Sequence, residues 1–248
     1  MSHPTTFESP VAAGPPTVRL TRRRQVIGKR MRESVTTKPP VTLHTTAVAE
    51  LLATEVAASR AEGAERVSFL GALARRLVGV LASHPDLNAH LLDEGLRRFE
   101  QIHLGIAVDV PQGLLVPVIH GAESLSAVDL SARISQLAGA ARSGTLTPDQ
   151  MLDGTFTISS LGPLGVEQFT PIINPPQIAI LGVGALRDAP VWRNERWERQ
   201  SVVHLSLTFD HAAVDGAPAA RFLADLVEAM TMPAPPPPAR ALPDEETS

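Results

Sequence analysis

The chain has no cysteine. That removes a disulfide framework, a thiolate zinc site and a cysteine nucleophile together, so thiol chemistry here needs a thiol carried in by a substrate. It also has no uninterrupted apolar run near the ~20 residues that span a bilayer. The opening MSHPTTFESP lacks the basic-then-apolar order of a secretory signal. These absences lead to the expectation of a cytoplasmic protein with no membrane partner. No GxGxxG spacing follows any strand-like run, which argues against a Rossmann dinucleotide site, and no GxSxG occurs, which argues against an α/β-hydrolase. No two histidines stand at helical ligand spacing, so no metal is expected.

What is present fits a globular protein. Of 248 residues, 44% are hydrophobic and 19% charged, with a formal net charge of −4. That charge argues against a general polyanion binder. The local exception is RLTRRRQVIGKRMR, residues 19–32, with seven Arg or Lys. No aromatic residues interleave for base stacking, so the segment reads as a solvated or phosphate-binding helix face and no nucleic-acid partner is expected.

Residues 1–17 are rich in Pro, Thr and Gly and read as a disordered arm. Residues 233–248, PAPPPPARALPDEETS, read as an extended, exposed tail. Residues 18–232 between them read as one domain. Ser68 precedes a helical apolar pattern over 69–82. Ser126 and Asp129 form a capping-box start for a helix over 125–144 that stops at Ser143-Gly144. Strands are expected at 102–110, 113–119, 155–159 and 178–184, with Pro117 suiting an edge position. Residues 191–209 read as a hairpin turning at Arg193-Asn194-Glu195. Phe222, Leu223, Leu226, Val227 and Met230 line a helix after Pro218. The sum is a mixed α/β (α+β) domain, a mixed sheet in two layers with its helices.

Two places can carry chemistry. His211 follows the alternating run VVHLSLTF and stands four residues before Asp215-Gly216, at a strand–turn–helix junction. Imidazole, with an ordinary pKa near 6.5, is suited to act as a general base. Gly216 is expected to supply a backbone angle that other residues resist. An ordinary histidine beside an Asx turn would show the same spacing. In Thr155-Phe156-Thr157-Ile158-Ser159 the hydroxyls share one face, so Ser159 could donate to an oxyanion, or the face could simply be solvated.

In order and spacing, RQVIGKRM (24–31), HLGIAVDVPQGLLVPVI (103–119), DGTFTISSLGPLGVEQFTPIINPPQIAILGVG (153–184) and LSLTFDHAAVDGAPAARFL (205–223) resemble the catalytic domain of the 2-oxo acid dehydrogenase acyltransferases, the E2 components. The resemblance covers about residues 22–231. It implies the chloramphenicol acetyltransferase-like fold and a homotrimer with active sites between subunits. It implies acyl transfer between the thiols of coenzyme A and dihydrolipoamide, with His211 as base and Ser159 stabilising the oxyanion. Asp215 would hold the active-site loop through an arginine, for which Arg30 is the candidate, and segment 19–32 would pair with coenzyme A phosphates. The lipoyl group would arrive in trans on a carrier protein, and the E1 and E3 components would be partners. Where the family usually has Arg after the histidine, this chain has Ala212, as the chloramphenicol acetyltransferases do. A hydroxyl or amine acceptor, or a non-catalytic scaffolding core, are the alternative readings.

Overall fold

The computed structural model describes residues 17–61, 66–111, 113–193 and 195–236. In chain order the elements are α1 (Arg22–Thr37), β1 (Pro40–Val48), α2 (Glu50–Ala61), α3 (Phe69–Leu81), β2 (Ala89–Leu92), β3 (Gly95–Arg98) and β4 (Leu104–Ile106). Then follow β5 (Val108–Val110), β6 (Gly113–Leu115), β7 (Val118–Ile119), α4 (Ala127–Ser143), β8 (Phe156–Ser160), β9 (Ala179–Val183), β10 (Arg187–Arg193), β11 (Arg196–Asp210) and α5 (Gly216–Ala229).

One seven-stranded mixed sheet organises them, in the order β1-β11-β9-β8-β4-β7, with β10 also paired to β11. The parallel pairs are β4–β8 and β8–β9; the others are antiparallel. Alternation along β11 sends Leu205, Leu207 and Phe209 into the core. There they join Leu104, Phe156, Ile158 and Leu181 against the helices. α5 buries Ala219, Phe222, Leu223 and Leu226, and the Phe222 ring meets Phe156 at 6.0 Å. Burying a side chain of that size stabilises the fold by about 2–3 kcal/mol. On the opposite face, β1 and β11 are cross-linked by a polar ladder. Thr42 meets Thr208 at 2.8 Å, His44 Nδ1 meets Ser206 Oγ at 2.9 Å, and Thr46 meets His204 Nδ1 at 3.0 Å.

The helix ends follow their capping chemistry. Ser68 accepts from Gly71 N, the Ser126–Asp129 capping box is complete, and Gly144 closes α4 at φ 72°. Two expected strands are each divided. Residues 102–110 keep one buried face through Ile102, Leu104, Ile106, Val108 and Val110. Between β4 and β5, however, Ala107 N makes the last bond to β8, at Ile158 O; beyond it the chain leaves the main sheet and β5 pairs with β6. Pro117, which has no N–H to donate, separates β6 from β7, and β7 takes the sheet edge. α2 and the β2–β3 hairpin have no counterpart among the sequence expectations. The hairpin of β10 and β11 begins at Arg187, earlier than expected, and its tip residue Asn194 lies outside the described residues.

At the C-terminus, residues 233–236 are mostly exposed, as expected of an extended tail, but they are tied to the fold. Arg75 and Arg76, side by side on α3, are almost fully buried. Arg76 forms a two-pronged ion pair with Glu55 (2.7 and 3.0 Å) and donates to Ala229 O and Met232 O. Arg75 donates to Pro235 O, Pro236 O and Glu123 O. Buried guanidinium groups need acceptors, and the chain past α5 supplies them. Residues 237–248 and 1–16 lie outside the described residues.

Candidate active site

β11 ends at Asp210 because the chain wraps around that residue. Its N–H makes the last ladder bond, to Ile178 O, and its carbonyl accepts both Ala213 N and Val214 N at 3.0 Å. The side chain is fully buried. Oδ2 accepts from Lys38 Nζ at 3.1 Å and Oδ1 from Ala212 N at 3.0 Å. Lys38, 6% exposed, sits between α1 and β1. The sequence reading missed this pair, because nothing in the order of residues joins positions 172 apart.

His211 leaves the sheet at this point. Its N–H donates to Pro39 O at 2.9 Å. Its ring is exposed and lies tilted beside Phe209, with centroids 5.8 Å apart. Nδ1 is 3.9 Å from Asp215 Oδ1, which is an ion-pair distance and too long for a hydrogen bond. Asp215 occupies the N-cap position of α5 through its backbone (φ −76°, ψ 163°), but its side chain makes no cap bond and is 85% exposed. Two expectations are corrected. Gly216 does not have a positive φ, and a Cβ there would meet open space, so the turn is made by Asp210 and not by glycine freedom. Arg30 is not joined to Asp215 in the protomer. It lies on α1, and its Nη2 donates to Pro175 O at 2.6 Å.

β8 is buried on both faces as far as Ile158, so its hydroxyls do not line a solvated surface. Thr155 Oγ1 exchanges hydrogen bonds with the His103 backbone, and Thr157 Oγ1 donates to Gln177 Oε1 at 2.6 Å. Ser159 differs. It is half-buried, and among the described residues its hydroxyl has no hydrogen-bond partner. The neighbour across the ladder is Gly182, where a Cβ would sit 3.1 Å from the Phe169 ring. The segment after Ser159 packs backbone on backbone: a Cβ on Gly184 would lie 1.8 Å from Glu167 O.

The register fixes how far Ser159 is from His211. Ser159 lies level with Gly182, Gly182 with Ser206, and His211 is five residues beyond Ser206. With strand spacing and rise at their usual values, the two residues of one chain are about 19 Å apart. A base and an oxyanion donor sharing one reacting centre both lie within hydrogen-bond reach of it, about 3 Å. A single protomer therefore does not bring these two together.

Burial pushes the pKa of His90 below the usual histidine value, against a hydrogen bond from Nε2 to Gly154 O at 2.8 Å. His103 is pushed down by burial and by its neighbour His120. Neither is near the end of β8 that carries Ser159. Along α1, Arg22, Arg24, Lys29, Arg30 and Arg32 are exposed, and an open groove runs between α1 and Pro175-Pro176.

A family model described as 2-oxoacid dehydrogenases acyltransferase (catalytic domain) matches residues 13–235. The dihydrolipoyllysine-residue acetyltransferase component of the acetoin cleaving system of Bacillus subtilis is 41% identical over 208 residues, covering 82% of this chain and 52% of that protein. The chain thus spans about half the length of that relative. The solved cubic core of the pyruvate dehydrogenase multienzyme complex superposes with a TM-score of 0.84 at 35% identity, over 92% of this chain and 96% of that one. The same figures hold for the dihydrolipoamide acetyltransferase of Azotobacter vinelandii, whose catalytic mechanism has been investigated through a serine, a histidine and an asparagine. In that protein the serine stands 52 positions before the histidine and the asparagine four after it, the spacings of Ser159, His211 and Asp215 here. A chloramphenicol acetyltransferase, at 11% identity and a TM-score of 0.51, shares the fold. With the sheet, the histidine turn and the match along nearly all of the folded region in agreement, the chain belongs to the catalytic-domain family of the 2-oxoacid dehydrogenase acyltransferases.

Proposed function

We propose that this domain transfers an acyl group between the thiol of coenzyme A and that of a dihydrolipoyl group, at a site completed by two copies of the chain. His211 of one copy removes the proton from the incoming thiol. The thiolate attacks the carbonyl carbon of the acyl thioester, and the hydroxyl of Ser159 from the neighbouring copy donates to the resulting oxyanion. Collapse of the tetrahedral intermediate expels the other sulfur, which takes the proton back from the imidazolium. An ordinary thiol with a pKa near 8.5 is only a few per cent ionised at pH 7, so a positioned base supplies the nucleophile.

The observation that carries this reading is that Ser159, half-buried with an unpartnered hydroxyl among the described residues, and His211, exposed, stand at opposite ends of one sheet. Each has the chemistry its role needs and lacks the other half within the protomer. The relative with a serine, a histidine and an asparagine at the same spacings supports it. A closed ring of three copies, each facing the next, gives every histidine one serine. The lipoyl group would be presented by a lipoyl domain, as part of an assembly with E1 and E3 components, and the exposed cations of α1 are candidates for the coenzyme A phosphates. Asp215 would support the His211 turn.

The test is acyl transfer from acetyl-, succinyl- and branched acyl-CoA to dihydrolipoamide, followed by release of free coenzyme A thiol. Wild type is expected to turn over at least one of these donors, and His211→Ala to lose about 10²–10⁴-fold in kcat. Equal rates for the two proteins would refute His211 as the base. Turnover only with a hydroxyl or amine acceptor would refute the thiol-to-thiol reading.

A further inference from the structure

Among the described residues no side chain hydrogen-bonds the His211 ring: Asp215 is 3.9 Å away and 85% exposed, and the Phe209 ring only lies beside it. Its direction is therefore set by the backbone of residues 210–214. That backbone is tied to one short piece of chain, Lys38-Pro39. Pro39 O holds His211 N, and Lys38 Nζ holds Asp210 Oδ2. The same carboxylate takes Ala212 N on its other oxygen, while the Asp210 carbonyl takes Ala213 N and Val214 N. One buried residue thus fixes three successive amides beyond the histidine.

Burying a lysine and an aspartate together is a poor route to stability, because desolvation offsets most of their attraction and apolar side chains of similar size often serve as well. The geometry points to a different use: Lys38 and Asp210 are positioning residues that hold the His211 turn in its reactive direction. Lys38 holds Asp210 Oδ2 in place, and Asp210 passes the constraint to Ala212 N through Oδ1. This rests on the reading of His211 as the general base.

The experiment compares two variants that bury no charge, Lys38→Met/Asp210→Asn and Lys38→Met/Asp210→Ala, with Lys38→Met, His211→Ala and wild type in the full chain. The amide oxygen of Asn can still accept from Ala212 N; the Ala variant offers nothing. The expected result is that the Asn pair keeps kcat within a few-fold of wild type, while the Ala pair loses about tenfold or more, as a misdirected base would, with KM for the acyl-CoA unchanged. Lys38→Met alone, which strands a buried carboxylate, is expected to fall in kcat and to be rescued by adding Asp210→Asn. Equal kcat for the Asn and Ala pairs, with His211→Ala inactive, would overturn this proposal and leave the role of His211 standing. An active His211→Ala would instead remove the reading on which it rests. If Lys38→Met does not fold, the two neutral pairs still decide the matter.

Discussion

Suppose two inactive proteins are made, one with His211→Ala and one with Ser159→Ala. They are mixed in equal amounts, unfolded, and refolded together. Loss of the base is expected to leave about 1% of the activity or less, and loss of the oxyanion donor a similar residue. In one chain the two positions are separated by five residues along β11 and two strand spacings across the sheet, about 19 Å, a gap that neither side chain closes. On the proposed reading, a working site then takes its histidine from one copy and its serine from the next. With random mixing, half the subunits keep the histidine and half keep the serine, so about one-quarter of the sites in any closed ring are intact. The refolded mixture should regain about 25% of wild-type kcat per chain, far above either parent, with an unchanged KM. Refolding each parent separately and then mixing controls for slow exchange. The reasoning is refuted if the co-refolded mixture forms mixed assemblies, verified by mass, yet shows no more activity than the average of its parents.

Two further outcomes follow from the packing and the titration of the fold. Gly184→Ala would place a Cβ 1.8 Å from Glu167 O, forcing the backbone after β8 to move. The expected cost is about 1–3 kcal/mol, read as a lower denaturant midpoint at unchanged slope, and a midpoint equal to wild type would contradict the close approach. The pKa of His90 is held down by burial, so the unfolded chain binds this proton more readily than the folded one. Its contribution is complete above about pH 6.5 and is lost as the pH falls from there through the folded value. Stability measured from pH 7.5 to 5.5 should therefore decline less in His90→Gln than in wild type, and parallel curves would count against it.

What could be read from the residues alone was whatever local chemistry determines. The caps at Ser68, Ser126 and Gly144 were legible because a hydroxyl, a carboxylate or a left-handed glycine acts within a few residues of itself. The buried face from Ile102 to Val110 was legible through its alternation, but the point where the strand leaves the sheet was not, since it is set by the end of the ladder to β8, about fifty residues on. The hydroxyls of β8 had the same signature whether solvated or buried. Only the partners found for Thr155 and Thr157 leave Ser159 distinct. Gly216 looked like a conformational requirement because Asp-Gly is common in turns, whereas the turn is organised by the residue before the histidine. Arg30 lies in a segment that matches the family, and a distant carbonyl at Pro175 takes its guanidinium. Long-range partners of this kind carry no periodicity for a reader of sequence to find.

The two guanidinium groups of α3 also set a practical limit on where the polypeptide can be shortened. A truncation after Met232 would remove both proline carbonyls that satisfy Arg75 and leave that cation facing solvent or a void beside Gly79. Trimming for crystallisation, or fusing a second domain, should therefore keep the chain through at least Pro236, four positions beyond where helix and composition suggest the fold stops.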